Sequence, residues 1–277
     1  MENLQSDHLD TQNLYRDMQK RTGGEIYIGV VGPVRTGKST FIKRFMDVAV
    51  LPYMEDAAQK TRAQDELPQS AGGRTITTTE PKFIPQEAVE LKLAGEVTIR
   101  VRLVDCVGFM VEGAAGHLED GAERLVKTPW YDHEIPFTQA AELGTRKVIT
   151  DHSTIGVVVT TDGSFSDLPQ ETYLDAENQA ISELKKLHKP FLVLVNSSHP
   201  SSRTAREAAE RIEKQHSVAA MPVNCAQLSE EDIRQIMEQI LYEFPVSRVE
   251  FYMPKWVEML PFSHPLKTGL IEKIREM

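Results

Sequence analysis

Long apolar runs are missing from this chain: none approaches the ~18–20 consecutive apolar residues that a membrane-spanning helix needs. Direct membrane insertion is therefore not expected. The stretch Met1–His8 is polar and acidic, without the apolar core of a secretory signal, so no export is expected from it. Cysteine is scarce. Cys106 and Cys225 are the two present, with no C-x-x-C spacing, which excludes a disulfide scaffold and suits a reducing, cytoplasmic setting. Basic residues are in deficit, 31 against 41 acidic ones, for a formal net charge of −10. General nucleic-acid binding leans on basic patches, so none is expected here. His117, His133, His152, His188 and His199 show no metal-ligand spacing and read as scattered surface residues. Internal repeats and low-complexity tracts are absent as well. What remains is a chain of 277 residues, 40% hydrophobic, with room for one large domain or a domain plus part of another.

One segment stands out, Gly29–Thr40. In it Gly32, Gly37, Lys38 and Ser39 fit G-x-x-x-x-G-K-[ST], the phosphate-binding loop. An apolar strand pattern, Ile26–Val31, runs into it, and a helical pattern with Phe41, Ile42, Phe45 and Met46 on one face leaves it. Strand, glycine loop and helix are the context the motif requires. Inward-pointing loop amides and the positive end of the helix cradle phosphates. Gly32, Val34, Arg35, Thr36, Gly37, Lys38, Ser39 and Thr40 are the expected nucleotide-binding positions. Among them, Lys38 is expected to reach the β- and γ-phosphates and Ser39 to ligate Mg²⁺.

Along the chain, residues 1–24 read as a polar lead-in with a short helix ending at Gly23-Gly24. Pro52–Pro85 and Asp105–Gly144 read as two long irregular stretches, the second carrying Trp130-Tyr131 as loop anchors. Strands are expected at Thr98–Val104, Ile155–Thr160, Pro190–Val195 and Val218–Asn224. Helices are expected at Asp175–His188, Ala205–His216 and Ser229–Phe244, the last opened by a Ser229/Asp232 capping signature. Strands alternating with helices predict an α/β fold with a mostly parallel central sheet covered on both faces. From Pro245 the pattern changes, so we expect a nucleotide-binding domain over 25–245 and a further module starting within 246–277. Two short helical pieces are expected there, the first packed down by Trp256.

Val101–Gly108 places D-x-x-G at a strand end, with Asp105 expected to hold Mg²⁺ through water and Gly108 to offer its amide to the γ-phosphate. Gly72–Pro81 contains Arg74 and a run of threonines, where a switch residue that closes on Mg²⁺ and γ-phosphate belongs. Spacing alone does not choose among these threonines, and a plain loop or edge strand fits them too. Two positions depart from ordinary GTPases. Phe109 stands where a glutamine orients the attacking water, so either hydrolysis is slow or another residue positions water; Arg35 and Arg74 are candidates to offset transition-state charge, and a solvated arginine fits each position equally. Asn196-Ser-Ser-His199 keeps only the Asn of N-K-x-D, so no carboxylate reads guanine and ATP is admitted.

Taken together these residues resemble the ATPase domain of the stage IV sporulation protein A family, whose members build the bacterial spore coat. The resemblance runs over nearly the whole chain. It is most specific at Gly32–Thr40, Ala63–Ser70, Thr78–Phe83, Asp105–Gly108, Thr128–Tyr131, Ser153–Val157 and Tyr242–Pro245. It implies the fold of a P-loop NTPase of the translation-factor-like GTPase class that binds and hydrolyses ATP with Mg²⁺. It further implies that Lys38 binds phosphate, that Asp105 is the Mg²⁺-linked acidic residue, and that Thr78 and Thr79 sense the nucleotide. With the motif readings above, the expected catalytic residues are Lys38, Asp105, Thr78, Thr79 and Arg35, with nucleotide contacts from Gly108 and Asn196 and metal contacts from Ser39, Thr79 and Asp105. Hydrolysis in the family drives self-assembly into the coat's basement layer at the forespore surface, in the mother-cell cytoplasm. Coat proteins and a small amphipathic membrane peptide are partners through later domains, which the resemblance implies lie beyond Met277. From the residues themselves three other readings stay open: a GTPase switch, a phosphoryl-transferring kinase, and a structural protein that binds nucleotide without turnover.

Overall fold

The computed structural model describes residues 19–68, 80–93, 97–114, 118–119, 122–165, 168–244 and 254–276. The chain divides into two compact units, Met1–Phe244 and Pro245–Met277.

The larger unit opens with β1 (Glu25–Val31) and α1 (Lys38–Phe45), which continues through a π-helical turn, Met46–Val50. Next come α2 (Ala57–Asp65), β2 (Lys82–Leu93) and β3 (Val97–Asp105). Two small hairpins follow, β4 (Leu118–Glu119) with β5 (Ala122–Glu123) and β6 (Leu125–Thr128) with β7 (Tyr131–Pro136). Then α3 (Phe137–Lys147) runs through a second π-helical turn, Val148–His152, into β8 (Ile155–Thr161). The unit closes with α4 (Leu174–Lys186), β9 (Phe191–Asn196), α5 (Arg203–His216), β10 (Ala220–Val223) and α6 (Glu230–Tyr242).

Six strands form one sheet in the order β10-β9-β8-β1-β3-β2. All neighbours are parallel except β2, which runs antiparallel to β3 at the edge. Both faces are covered, as parallel sheets require. Phe41 and Ile42 of α1 and Ile233, Ile236 and Ile240 of α6 pack with Ile26, Ile28 and Val30 on one side. On the other, Ala180, Ile181 and Leu184 of α4 and Ile212 of α5 pack with Val31, Val158 and Val193. Every residue of β8 and β9 is buried, which is why both read as unbroken apolar runs.

A buried ionic knot crosses this second face. Glu177 of α4 is 1% exposed; its Oε1 meets Arg211 Nη2 of α5 at 2.7 Å, and Thr160 of β8 donates its hydroxyl to Oε2 at 2.7 Å. Removing one partner of such a pair strands the others in low dielectric. Glu177→Ala is expected to destabilise the nucleotide-free protein by about 2–4 kcal/mol, since Arg211 retains some solvent. Chemical denaturation measures it, and a change under about 0.5 kcal/mol would refute the structural role.

The stretches expected to be irregular hold regular structure. Pro52–Pro85 contains α2 and the start of β2; Asp105–Gly144 contains both hairpins and most of α3. Each escaped for a physical reason. α2 buries Ala63 alone, so it shows no apolar stripe. The buried face of α3 is Phe137, Ala140, Ala141, Gly144 and Thr145, small or polar apart from the first. β2 carries Pro85 at a break in register between Ile84 and Val89, a placement that an edge strand tolerates. Trp130 is half-buried at the β6–β7 turn, while Tyr131 is 41% exposed.

The smaller unit holds α7 (Lys255–Glu258) and α8 (Pro265–Glu276); Lys267 Nζ of α8 donates to Leu260 O in the turn between them at 3.0 Å. Trp256, expected to pack its helix down, is 59% exposed; the buried residue of that turn is Val257. No helix among the described residues is long and apolar enough to cross a membrane.

Candidate functional site

The loop between β1 and α1 has a backbone that only particular residues permit. Gly32 has φ 131° and Gly37 has φ 97°, a region L-residues avoid. A side chain at Gly32 would strike the Val159 carbonyl of β8, and one at Gly37 would strike Asn196 Nδ2. Gly37 is the N-cap of α1 and offers no side chain, so no side chain caps the first helical amides. Unfilled amides at a helix N-terminus favour an anion. Thr36 fastens the loop from within: its Oγ1 lies 2.6 Å from Val159 O and 3.0 Å from Pro33 O. Arg35, at φ 61°, is exposed on the loop.

Lys38 is buried, and its Nζ donates to Pro33 O at 2.6 Å. Burial pulls its pKa down, while the neighbouring Cys106 and Asp105 push the other way. An ammonium with so little water strongly favours a counter-anion. Asp105, at the end of β3, accepts from the Ser39 hydroxyl through Oδ2 at 2.7 Å and from the Cys106 amide through Oδ1 at 3.0 Å. Burial raises the Asp105 pKa, opposed by the Ser39 hydrogen bond and the Lys38 charge. A hydroxyl beside a carboxylate is a hard-oxygen pair of the kind that suits Mg²⁺.

Gly108, at φ 97°, presses its backbone on the phosphate loop: a Cβ there would collide with Gly32 O and lie 2.5 Å from Lys38 Nζ. Its amide donates to Thr145 Oγ1 of α3 at 3.2 Å. Phe109 is stitched to the same loop, its N–H donating to Gly32 O at 3.0 Å and its carbonyl accepting from Val34 at 2.9 Å. Its ring is fully buried in the core on that face of the sheet. The position after D-x-x-G therefore serves packing and presents nothing to a water.

At the far end of the loop, Asn196 closes β9. Its Nδ2 donates to Thr36 O at 2.9 Å and its Oδ1 accepts from the Cys225 amide at 3.0 Å, tying the phosphate loop to the turn after β10. His199 stands where a guanine-reading carboxylate would, its amide held by Ser197 Oγ at 3.0 Å. A polar cleft of about 560 Å³ opens beside these residues, lined by Asp162, Ser164, Glu171, Ser197, His199 and Ser202. None of these lining residues belongs to the phosphate loop. Burial pushes the Cys106 thiol up to about 11 and the Cys225 thiol to about 12, so both are neutral near pH 7.

The sheet thus brings Gly32, Val34–Thr40, Asp105, Gly108 and Asn196 together at the C-terminal ends of β1, β3 and β9, where open α/β sheets take their ligands. The amide cradle, buried ammonium and Ser39–Asp105 pair fit a nucleoside triphosphate with Mg²⁺. Arg74, Thr78 and Thr79 lie outside the described residues. Thr145 was missed by sequence reasoning; a stripe of small residues gave no chemical signal.

Residues 9–245 match the family model described as stage IV sporulation protein A, ATPase domain. Stage IV sporulation protein A of Clostridioides difficile (strain 630) is 48% identical over 264 residues, 95% of this chain and 54% of the relative. The proteins of that name from Bacillus anthracis and Bacillus subtilis (strain 168) are each 44% identical over 268 residues, 97% of this chain and 54% of theirs. The chain therefore spans about half the length of the curated relatives it matches. Among solved structures, a crystal structure of an SsGBP variant aligns over 86% of this chain and 64% of its own at TM-score 0.44 and 13% identity.

Proposed function

The chain belongs to the stage IV sporulation protein A family and carries its ATPase domain; from that premise we propose that it binds ATP with Mg²⁺ and hydrolyses it to ADP and phosphate. The observation that carries the reading is the convergence of Lys38, the Gly108 backbone and the Ser39–Asp105 pair around one glycine-lined loop. Lys38 would exchange Pro33 O for β- and γ-phosphate oxygens, offsetting the charge that builds as the terminal P–O bond breaks. Ser39 would ligate Mg²⁺ directly and Asp105 through water. Bound Mg²⁺ supplies electrostatic stabilisation of the phosphate oxygens. Gly108 would donate its amide to the γ-phosphate, and Thr78 and Thr79 would close over it from the switch segment. Arg35, within the loop itself, would act as an arginine supplied in cis that offsets transition-state charge; with Phe109 buried, the attacking water would be oriented by another group.

Adenine is favoured over guanine because Asn196-Ser-Ser-His199 puts His199, not a carboxylate, at the guanine-reading position of the motif. Competition binding should show ATP preferred over GTP by at least about tenfold, the scale of one or two lost hydrogen bonds to the base. Phosphate release should follow the same order. A preference for GTP would overturn the adenine assignment and favour an ordinary GTPase switch.

In the full-length family context, turnover would drive self-assembly into the basement layer of the spore coat, at the forespore surface within the mother cell. Coat proteins and an amphipathic membrane peptide would be recruited by segments of the relatives beyond the half that this chain spans.

A further inference from the structure

We propose that Thr145 is a positioning residue that competes with the γ-phosphate for the Gly108 amide, and so sets the preference of the site between triphosphate and diphosphate. The inference rests on the ATPase reading above, in which that amide meets the γ-phosphate.

The geometry is specific. Gly108 lies against the phosphate-binding ammonium, yet its N–H points to Thr145 Oγ1, 3.2 Å away on α3. The Thr145 hydroxyl proton is committed to Ala141 O at 2.8 Å, so the oxygen faces Gly108 with a lone pair. Thr145 is fully buried, out of contact with bulk solvent. One N–H cannot serve two acceptors on different sides at full strength. Turning the amide to a γ-phosphate therefore leaves a buried hydroxyl oxygen short of a donor, a cost borne only in the triphosphate state. A diphosphate makes no such demand. The same exchange loosens α3, because a hydrogen bond from the D-x-x-G turn to its last turn is given up. Cys106 is the other polar side chain at this spot; its sulfur donates to Val30 O at 3.4 Å and also meets the Thr145 hydroxyl and the Gly108 amide, a weak sulfur partner that replaces the lost N–H only in part. Burial holds that thiol up at about 11, so it brings no charge to the competition.

The test compares affinity for ADP and for a β,γ-imido ATP analogue, by calorimetry, in wild type, Thr145→Val and Thr145→Ser. Val keeps the shape and removes the acceptor. We expect the affinity ratio to move toward the triphosphate by about 5–10-fold in Thr145→Val, the scale of one buried hydrogen bond. Thr145→Ser should stay within about twofold of wild type, because it keeps the hydroxyl. A residue with only a structural role would weaken both ligands together. A Thr145→Val ratio within twofold of wild type, or moved toward ADP, overturns the proposal. Should Thr145→Val not fold, hydrogen exchange in wild type decides: residues 137–147 are expected to exchange faster with the imido analogue than with ADP. Equal exchange overturns it. If wild type binds neither nucleotide, the ATPase reading falls as well; if it binds both and the ratio is unmoved, only the role of Thr145 falls.

Discussion

Lys38→Ala is expected to reduce phosphate release by about 10²–10³-fold or more, the range found when one preorganised charge donor is removed from a transition state. The argument is electrostatic. The Lys38 ammonium is buried; it donates to the Pro33 carbonyl and has the Asp105 carboxylate nearby, which offsets its desolvation only in part. Such a cation gains much more from a triphosphate than a solvated lysine would. The fold should survive, because burial already disfavours this charge and its loss relieves that cost. Circular dichroism together with single-turnover phosphate release separates the two effects. A folded Lys38→Ala protein with turnover within threefold of wild type would overturn the site assignment.

Gly108→Ala is the second large effect. The added methyl would meet Gly32 O and the Lys38 side chain, and alanine would be held at φ 97°, costing about 1–3 kcal/mol in strain alone. Relief requires the turn to draw away from the phosphate loop, taking its amide out of reach of the γ-phosphate. Turnover should fall by about 10²-fold, and affinity for the imido ATP analogue should fall more than affinity for ADP. Equal loss for both ligands would refute the role of Gly108 as the γ-phosphate contact.

The legible part of this protein is the part whose chemistry dictates residue type. Gly32 and Gly37 cannot be replaced without collision, and Lys38 and Asp105 supply charge at fixed points, so their pattern survives as a motif. β8 and β9, buried on both faces, read as apolar runs, and α6 shows its stripe because Ile233, Ile236, Met237 and Ile240 all face the core. The illegible part is packed by small or polar residues. α3 sits against the sheet through Ala140, Ala141, Gly144 and Thr145, which signal close approach but carry no periodic hydrophobicity. α2 is polar nearly throughout, held by its Asp56 cap, and β2 hides behind Pro85. The same reason concealed Thr145 as a candidate. Its importance lies in which backbone amide it faces, a tertiary fact that no local pattern encodes. Phe109 is a mixed case: the missing glutamine was visible, but its burial and its backbone bridge to the phosphate loop emerge only from the fold.

Asn196 carries one more consequence. Its side-chain amide braces two loops at once, through the Thr36 carbonyl and the Cys225 amide. The scaffold that steadies the phosphate end is thus independent of the three residues after it. Changes at Ser198 and His199 are expected to leave that brace intact, whereas Ser197 is buried and holds the His199 amide through its Oγ. On the proposed ATPase reading, nucleobase preference would then be a separable trait, able to drift along a lineage while phosphate chemistry is held constant.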